Sequence, residues 1–145
     1  MTTRAAEVAL LTLLLVSCGS VAPQAADEIK SGKWQFTTRM QLPGTAQPPA
    51  GGNPPMTLTA CIDSTSPIPA ESQCKLEQMD RHGSLVTWTM TCNSARGAIR
   101  SAGSARYAGD TMEATLTARV PGPDGQPVDS PGSITGRYLA PCDAK

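Results

Sequence analysis

The residues of this chain that can carry chemistry are few, and their spacing matches no common catalytic motif. The 145 residues include one His and five Cys. His82 stands between Arg81 and Gly83 in a sequence typical of a tight turn. A catalytic His needs a positioned nucleophile and an orienting acid within hydrogen-bond reach, and no motif places them here. We predict that His82 is a solvated turn residue and that the protein is not an enzyme.

Acidic and methionine side chains offer two alternatives. The acids are scattered and recur at no spacing that would hold two carboxylates together, so a hydrolase that uses them is a secondary hypothesis. Methionine sulfur can bind Cu(I), but Met40, Met90 and Met112 fall on apolar strand faces, where core packing is expected. We therefore predict no metal and no cofactor.

The charge composition argues against a nucleic-acid partner. The chain has 12 Lys and Arg against 12 Asp and Glu, which gives a formal net charge of zero. Affinity for nucleic acid comes mainly from Lys and Arg that neutralise phosphates, and the sequence shows no basic stripe. We predict no binding to nucleic acid.

The first residues predict export to the cell envelope. Arg4 and the amino terminus precede an apolar run, Val8–Val16, that is too short for the roughly 20 residues of a membrane-spanning helix. The run Leu15-Val16-Ser17-Cys18 resembles the cleavage signal of bacterial lipoproteins. We predict a signal peptide over residues 1–17, lipidation of Cys18 and a lipidated tether over residues 18–30. Gly19 favours the periplasmic face of the outer membrane, with a soluble periplasmic product as the alternative.

The remaining cysteines are expected to form disulfides. Cys61, Cys74, Cys92 and Cys142 are even in number, and the envelope permits disulfide formation. No Cys-x-x-Cys spacing occurs, which argues against a redox motif, a zinc knuckle or a haem attachment site. Four cysteines allow three pairings.

The body of the chain alternates apolar and polar residues with a period of two, as half-buried antiparallel strands do. Met112, Ala114 and Leu116, for example, alternate with Thr111, Glu113, Thr115 and Thr117. We predict an all-β domain over residues 31–145, built as an antiparallel β sandwich or a partly open barrel with two disulfides. Its seven strands are expected at about 33–42, 55–62, 74–81, 84–92, 97–107, 110–120 and 133–140.

The turn at Gly83 selects one disulfide scheme. A hairpin centred on Gly83 places Cys74 opposite Cys92. Directly opposite residues in a non-hydrogen-bonded antiparallel pair have the close Cβ atoms that a disulfide needs. Cys61 and Cys142 then form the second bridge.

Two segments rich in Pro and Gly are predicted to be loops. The first covers residues 43–55, where repeated prolines exclude strand and helix. It is expected to be a length-variable insertion, with a binding flap as the alternative. The second covers residues 121–132.

The order of these features resembles the domain-of-unknown-function family numbered 3617, short envelope proteins of Gram-negative bacteria. The resemblance covers residues 29–142 and rests on an opening Gly-x-Trp strand, a Pro-rich gap, spaced cysteines and a Tyr-x-Gly-Asp hairpin. In this chain these are Gly32-Lys33-Trp34, Cys61, Cys74, Cys92, Tyr107-Ala108-Gly109-Asp110, Gly136 and Cys142. The resemblance implies location and architecture, and the family supplies no activity or catalytic residues.

The function expected from these observations is that of a non-enzymatic envelope lipoprotein, a small binding or interaction module. Its partners are the membrane, through the lipid anchor, and an envelope protein or small ligand bound by residues 43–55 or by one sheet face. The alternatives are the hydrolase mentioned above and a purely structural spacer.

Overall fold

The computed structural model describes residues 28–41, 54–122 and 124–143, and every regular element in them is a β-strand. The seven strands form one antiparallel sheet in the order β2-β1-β7-β6-β5-β4-β3, curled into a half-barrel. This confirms the all-β prediction in its partly open barrel form. The strands are β1 (Gly32–Met40), β2 (Met56–Ile62), β3 (Cys74–His82), β4 (Leu85–Ser94), β5 (Gly97–Ala108), β6 (Thr111–Pro121) and β7 (Pro127–Ala140).

The period-two pattern sorts the side chains onto the two faces of the curled sheet. Trp34 and Val86 are 0% exposed on the concave face, whereas alternate positions such as Thr87 and Glu113 are exposed on the convex face. Successive side chains of a strand point to opposite faces, so the alternation alone decides which residues meet in the core. The buried concave side chains include Trp34, Phe36, Val86, Trp88, Met90, Ala105, Tyr107, Met112 and Ala114.

Glycine makes two of the tight turns possible. The β3–β4 hairpin turns at Gly83 and Ser84, and the β5–β6 hairpin turns at Gly109 and Asp110. Gly83 has a φ of 61° and Gly109 a φ of 59°. Two-residue hairpin turns of type II′ place glycine at this first central position because its φ is positive.

The β3–β4 hairpin contains a bulge that the sequence analysis did not predict. Its two-residue turn pairs His82 with Leu85, and that register would bring Cys74 opposite Asn93. The register shifts between Leu76 and Gln78, so Glu77 is an extra residue and Cys74 pairs with Cys92. The expected pair is therefore present, although the symmetric hairpin assumed for it is wrong near the turn.

The predicted loop over residues 121–132 is wrong for its second half, because β7 begins at Pro127 and pairs with β6 from the start. Proline is tolerated here because β1 ends at Met40, beside Gly132, which leaves this stretch of β7 at a local edge. Gln41 donates its N–H to the carbonyl oxygen of Pro131 at 2.9 Å. The N–H that Pro131 lacks is replaced by the Ser130 hydroxyl, which donates to the carbonyl oxygen of Gln41.

Ile29 and Lys30, the last two residues of the predicted tether, pack against the sheet. Ile29 is 1% exposed within the core, and Trp34 donates its indole N–H to the carbonyl oxygen of Lys30 at 2.9 Å. Burial of an isoleucine removes apolar surface from water, which holds these residues on the sheet. The rest of the tether, the signal peptide and Cys18 lie outside the described residues. Within the described ranges, no helix has the length and apolarity to cross a membrane.

Two disulfides join the sheet. Cys74 and Cys92 link the paired strands β3 and β4. Cys61 and Cys142 link β2 to the residues after β7, across the intervening β1, with Cα atoms 6.0 Å apart. These are the two pairings that the sequence analysis selected.

Candidate ligand site on the concave face

One end of the half-barrel is closed by an aromatic cluster. Trp34 lies edge-on to Tyr107 and Tyr138, with ring centroids 5.4 and 5.8 Å apart. Lys30 stands 3.8 Å above the Tyr138 ring and forms an ion pair of 2.7 Å with Asp110. Aromatic pairs of this geometry and the ion pair hold the start of the domain against the β5–β6 turn.

Two of the motifs that carry the family resemblance, the Gly-x-Trp strand and the Tyr-x-Gly-Asp hairpin, meet at this closed end. Gly32 allows the Tyr138 ring to pass close to β1, since a Cβ there would lie 2.5 Å from a ring carbon. Trp34 contacts Tyr107, and Asp110 binds Lys30. The residues of these two motifs therefore form one structural cluster.

The connection between β2 and β3, which we call the strap (residues 63–73), runs along the concave side of the sheet. β2 ends at the closed end of the half-barrel and β3 begins at the opposite end, so the strap must run between them. Pro67 and Ile68 of the strap are buried, and Ile68 belongs to the core cluster. The strap thereby forms one wall of the interior.

Several polar contacts hold the strap. The carboxylate of Asp63 accepts hydrogen bonds from the hydroxyl of Thr65 at 2.6 Å and from the backbone N–H groups of Thr65 and Ser66, both at 2.8 Å. These bonds lower the pKa of Asp63, the Thr65 hydroxyl most of all. Arg81 donates to the carbonyl oxygen of Ser64 at 2.9 Å.

A further contact joins the middle of the strap to β5. Tyr107 donates its hydroxyl to the carbonyl oxygen of Pro67 at 2.5 Å. Burial raises the pKa of Tyr107 well above its usual range, so its hydroxyl is a donor at every physiological pH.

An apolar cavity of about 160 Å³ lies between the strap and the sheet. Phe36, Trp88 and Met112 form its buried floor, and Ile68 and Pro69 supply the strap side. Half-buried residues surround this floor. They are Thr38, Leu58, Ser101, Leu116 and Ile134.

A glycine shapes the cavity floor. A Cβ at Gly103 would collide with the ring of Trp88 and lie 2.7 Å from the carbonyl oxygen of Thr115. Gly103 therefore lets the indole of Trp88 lie flat across β5. The bulky ring reaches the floor of the cavity because its neighbour has no side chain.

The lining of the cavity is suited to an apolar group. It includes no ionisable side chain, and the hydroxyl-bearing residues in it are Thr38 and Ser101. Apolar lining with a few polar groups at the edge is the usual composition of a small-molecule site. In the described part of the chain, no group of three or more His, Cys, Asp or Glu side chains could hold a metal ion.

The acids of the hydrolase hypothesis are not brought together as a carboxylate pair in the contacts that the structure shows. Glu77 contacts Arg100 at 3.4 Å and accepts from Thr91, whereas Asp129 contacts Arg119 at 3.8 Å. His82 is exposed at the end of β3, outside the cavity lining. Of the predicted loop over residues 43–55, only Pro54 and Pro55 are described, and they precede β2.

Sequence reasoning missed the cavity and the strap. Residues 63–73 lack a period, so no local pattern indicated that Pro67 and Ile68 are buried. One available signal was the apolar run Pro67-Ile68-Pro69-Ala70 within an otherwise polar connection. Such a run in a long connection between strands is consistent with a segment that packs on the core.

The fold and this site define a class of protein, a small disulfide-linked half-barrel with an apolar cavity on its concave face. The chain belongs to the family described as "Protein of unknown function (DUF3617)", whose model matches residues 29–142. No curated protein and no solved structure matches the chain.

Proposed function

We propose that this domain is a non-enzymatic binding module whose ligand places one apolar group in the cavity on the concave face. The observation that carries the proposal is a cavity of about 160 Å³ with an apolar lining. An engineered apolar cavity of roughly 150 Å³ stays dry and binds benzene, so a space of this size suits one ring or a short aliphatic group.

The volume also limits what enters. Sites for drug-sized ligands measure roughly 300–1,000 Å³, so the cavity holds part of a larger ligand rather than the whole. Thr38 and Ser101, both half-buried in its lining, are positioned to bond polar atoms beside the apolar group. Methionine adapts its shape to different partners, and Met90 and Met112 both line the cavity.

The lining favours binding over the hydrolase and spacer alternatives. General acid–base catalysis needs a titratable group within reach of the substrate, and the cavity lining supplies none. A spacer requires only a packed core, and the cavity adds nothing to that role. His82 is exposed at the end of β3, outside both the cavity lining and the core.

The first residues of the chain support a location for the module. Lipidation of Cys18 would anchor the domain at the periplasmic face of the outer membrane, because acyl chains contribute about 0.8 kcal/mol per buried CH₂. Replacing Cys18 by Ser should abolish uptake of labelled fatty acid and release the protein into the soluble periplasm. A variant that stays membrane-bound, together with a wild type that takes up no label, contradicts this anchor.

Binding can be tested with benzene as the probe and methionine methyl NMR of the purified mature protein as the readout. Benzene should shift the methyl signals of Met90 and Met112, which line the cavity, more than that of Met79, which does not. Ser101→Leu should fill the cavity and abolish the shifts. Ala102→Leu adds the same side chain to the opposite, exposed face of β5 and should leave them intact, as should His82→Ala.

Two results would overturn the proposal. The first is a wild type in which benzene shifts no cavity signal. The second is a Ser101→Leu variant that binds benzene as the wild type does. Far-ultraviolet circular dichroism of each variant checks that the fold is retained.

A further inference from the structure

The two edges of the half-barrel differ in how well they are protected against further pairing. Among the strands that the structure describes, β2 and β3 are the terminal ones of the sheet. An edge strand presents unpaired N–H and C=O groups to any extended chain. Charged side chains and β-bulges protect an edge strand from pairing with another chain. β3 has both, because it contains a bulge and carries Lys75, Glu77, Asp80 and Arg81. β2 has the sequence MTLTACI, without a charged residue, and keeps one register with β1 along its length.

The unprotected edge also borders the cavity. Leu58 of β2 pairs with Phe36 and lines the cavity beside it. Met56 pairs with Thr38, another lining residue, so Met56 lies on the same concave side. Its side chain is 63% exposed, whereas most methionines are buried. A chain placed against β2 would therefore lie beside the cavity.

We propose that the ligand of the cavity is an extended, uncharged segment of a protein partner, which pairs along β2 as an eighth strand and inserts one apolar side chain into the cavity. This inference rests on the function proposed above. Strand addition combines main-chain hydrogen bonds at a sheet edge with pockets for alternate side chains, and the β2 edge and the cavity supply both parts. Alternate side chains of the added strand face the concave side, where Met56 and Leu58 flank them.

The observations favour a peptide over a lipid or a second copy of the chain. A cavity of about 160 Å³ accommodates one large apolar side chain. An acyl chain has no groups that could form hydrogen bonds with the backbone of an edge strand, whereas a peptide has them. Pairing of two β2 strands would also satisfy the hydrogen bonds of the edge. The side chains that the second copy could offer to the cavity are Met56, Leu58, Ala60 and Ile62. Three of these are already half-buried or buried in their own subunit. The absence of charge on β2 selects a partner segment that is also uncharged, because unpaired charges placed there would be desolvated without a partner.

The test uses a capped seven-residue peptide in which threonine alternates with leucine around a central phenylalanine. The peptide should bind the mature protein, perturb the amide signals of β2 and displace benzene from the cavity. Two further peptides carry N-methyl groups on the odd or on the even residues. Because only one edge of the peptide can pair with β2, one set should weaken binding at least tenfold and the other should change it little.

Two protein variants form a matched pair. Met56 and Leu139 are both large, exposed apolar residues, and they lie on opposite faces of the sheet. Met56→Lys adds an inward-pointing charge of the kind that protects natural edges, and it should weaken peptide binding at least tenfold while benzene still binds. Leu139→Lys should change neither.

Each other outcome has a definite meaning. Benzene binding without peptide binding overturns this inference and leaves the proposed function standing, and absence of both overturns the two together. Equal affinity for the two methylated peptides shows side-chain insertion without strand pairing.

Benzene displacement by a fatty acid but not by the peptide identifies a lipid ligand. A dimer seen by sedimentation that Met56→Lys dissociates identifies a second copy at this edge; each of these three results also overturns the inference.

Discussion

The hydroxyl of Tyr107 donates a hydrogen bond of 2.5 Å to the carbonyl oxygen of Pro67, joining β5 to the middle of the strap. Both residues are buried, so neither group has water as a substitute partner. This contact fixes the strap wall of the cavity from the sheet side. The shape of the cavity therefore depends on a bond between residues far apart in the chain.

Replacing Tyr107 by Phe should destabilise the protein by about 1–3 kcal/mol, since it leaves the buried Pro67 carbonyl without a donor. Urea unfolding measures the loss, and benzene affinity should fall as the strap loosens. Tyr138→Phe makes the same chemical change without touching this bond and serves as the control. Equal effects of the two variants would show that the Tyr107 bond has no special role.

The bond between Ser130 and Gln41 can be tested by a double substitution. Ser130→Ala removes the hydroxyl donor of the Gln41 carbonyl and should cost about 0.5–1.5 kcal/mol. Pro131→Ala restores a backbone N–H directed at the same carbonyl, because Pro131 already accepts from the Gln41 N–H.

The loss caused by Ser130→Ala should therefore be smaller in the Pro131→Ala background than in the wild type. Thermal or urea unfolding of the four proteins in this cycle gives the coupling between the two sites. Strictly additive losses would contradict the proposed exchange of donors.

Stability should depend on the ionisation of Asp63 in acid. Its hydrogen bonds lower the pKa from 3.8, so the folded state holds the carboxylate more strongly than the unfolded state does. The stabilisation is complete above the unfolded pKa and disappears as the pH falls through the lower folded pKa.

Asp63→Asn removes this titration and keeps a side-chain oxygen at the same place. The difference in unfolding free energy between wild type and variant should shrink as the pH falls from about 5 to about 2. A difference that is constant across this range would show that Asp63 does not contribute through its charge.

The two disulfides should contribute unequally. Cys61 and Cys142 are 81 residues apart and Cys74 and Cys92 are 18 apart. Chain-entropy arguments give about 4.5 kcal/mol for the longer loop and about 3 kcal/mol for the shorter one. Paired Cys→Ala variants of each bridge, compared by urea unfolding, should show the larger loss for the Cys61–Cys142 bridge. A larger loss for the Cys74–Cys92 bridge would mean that loop length does not decide the relative contributions of the two bridges to stability.

The sequence by itself determined which residues face the core. The alternation of Met112, Ala114 and Leu116 with exposed Thr and Glu residues is a local property, because neighbouring side chains of a strand always point to opposite faces. For the same reason the strand positions were predictable to within about two residues, apart from the start of β7. Proline spacing alone predicted a loop there. Pro131 is tolerated in β7 because β1 ends beside it, and this arrangement is visible only in the sheet.

The tertiary structure decided everything that depends on contacts distant along the chain. A two-residue turn at Gly83 taken alone would misalign Cys74, and the bulge at Glu77 that corrects the register leaves no local signature. The cavity exists because the sheet curls and the strap returns across it, which brings Ile68 beside Phe36 and Trp88. Period-two patterns record which face a residue takes, whereas curvature, strap packing and the open edge of β2 arise from the assembly of all seven strands.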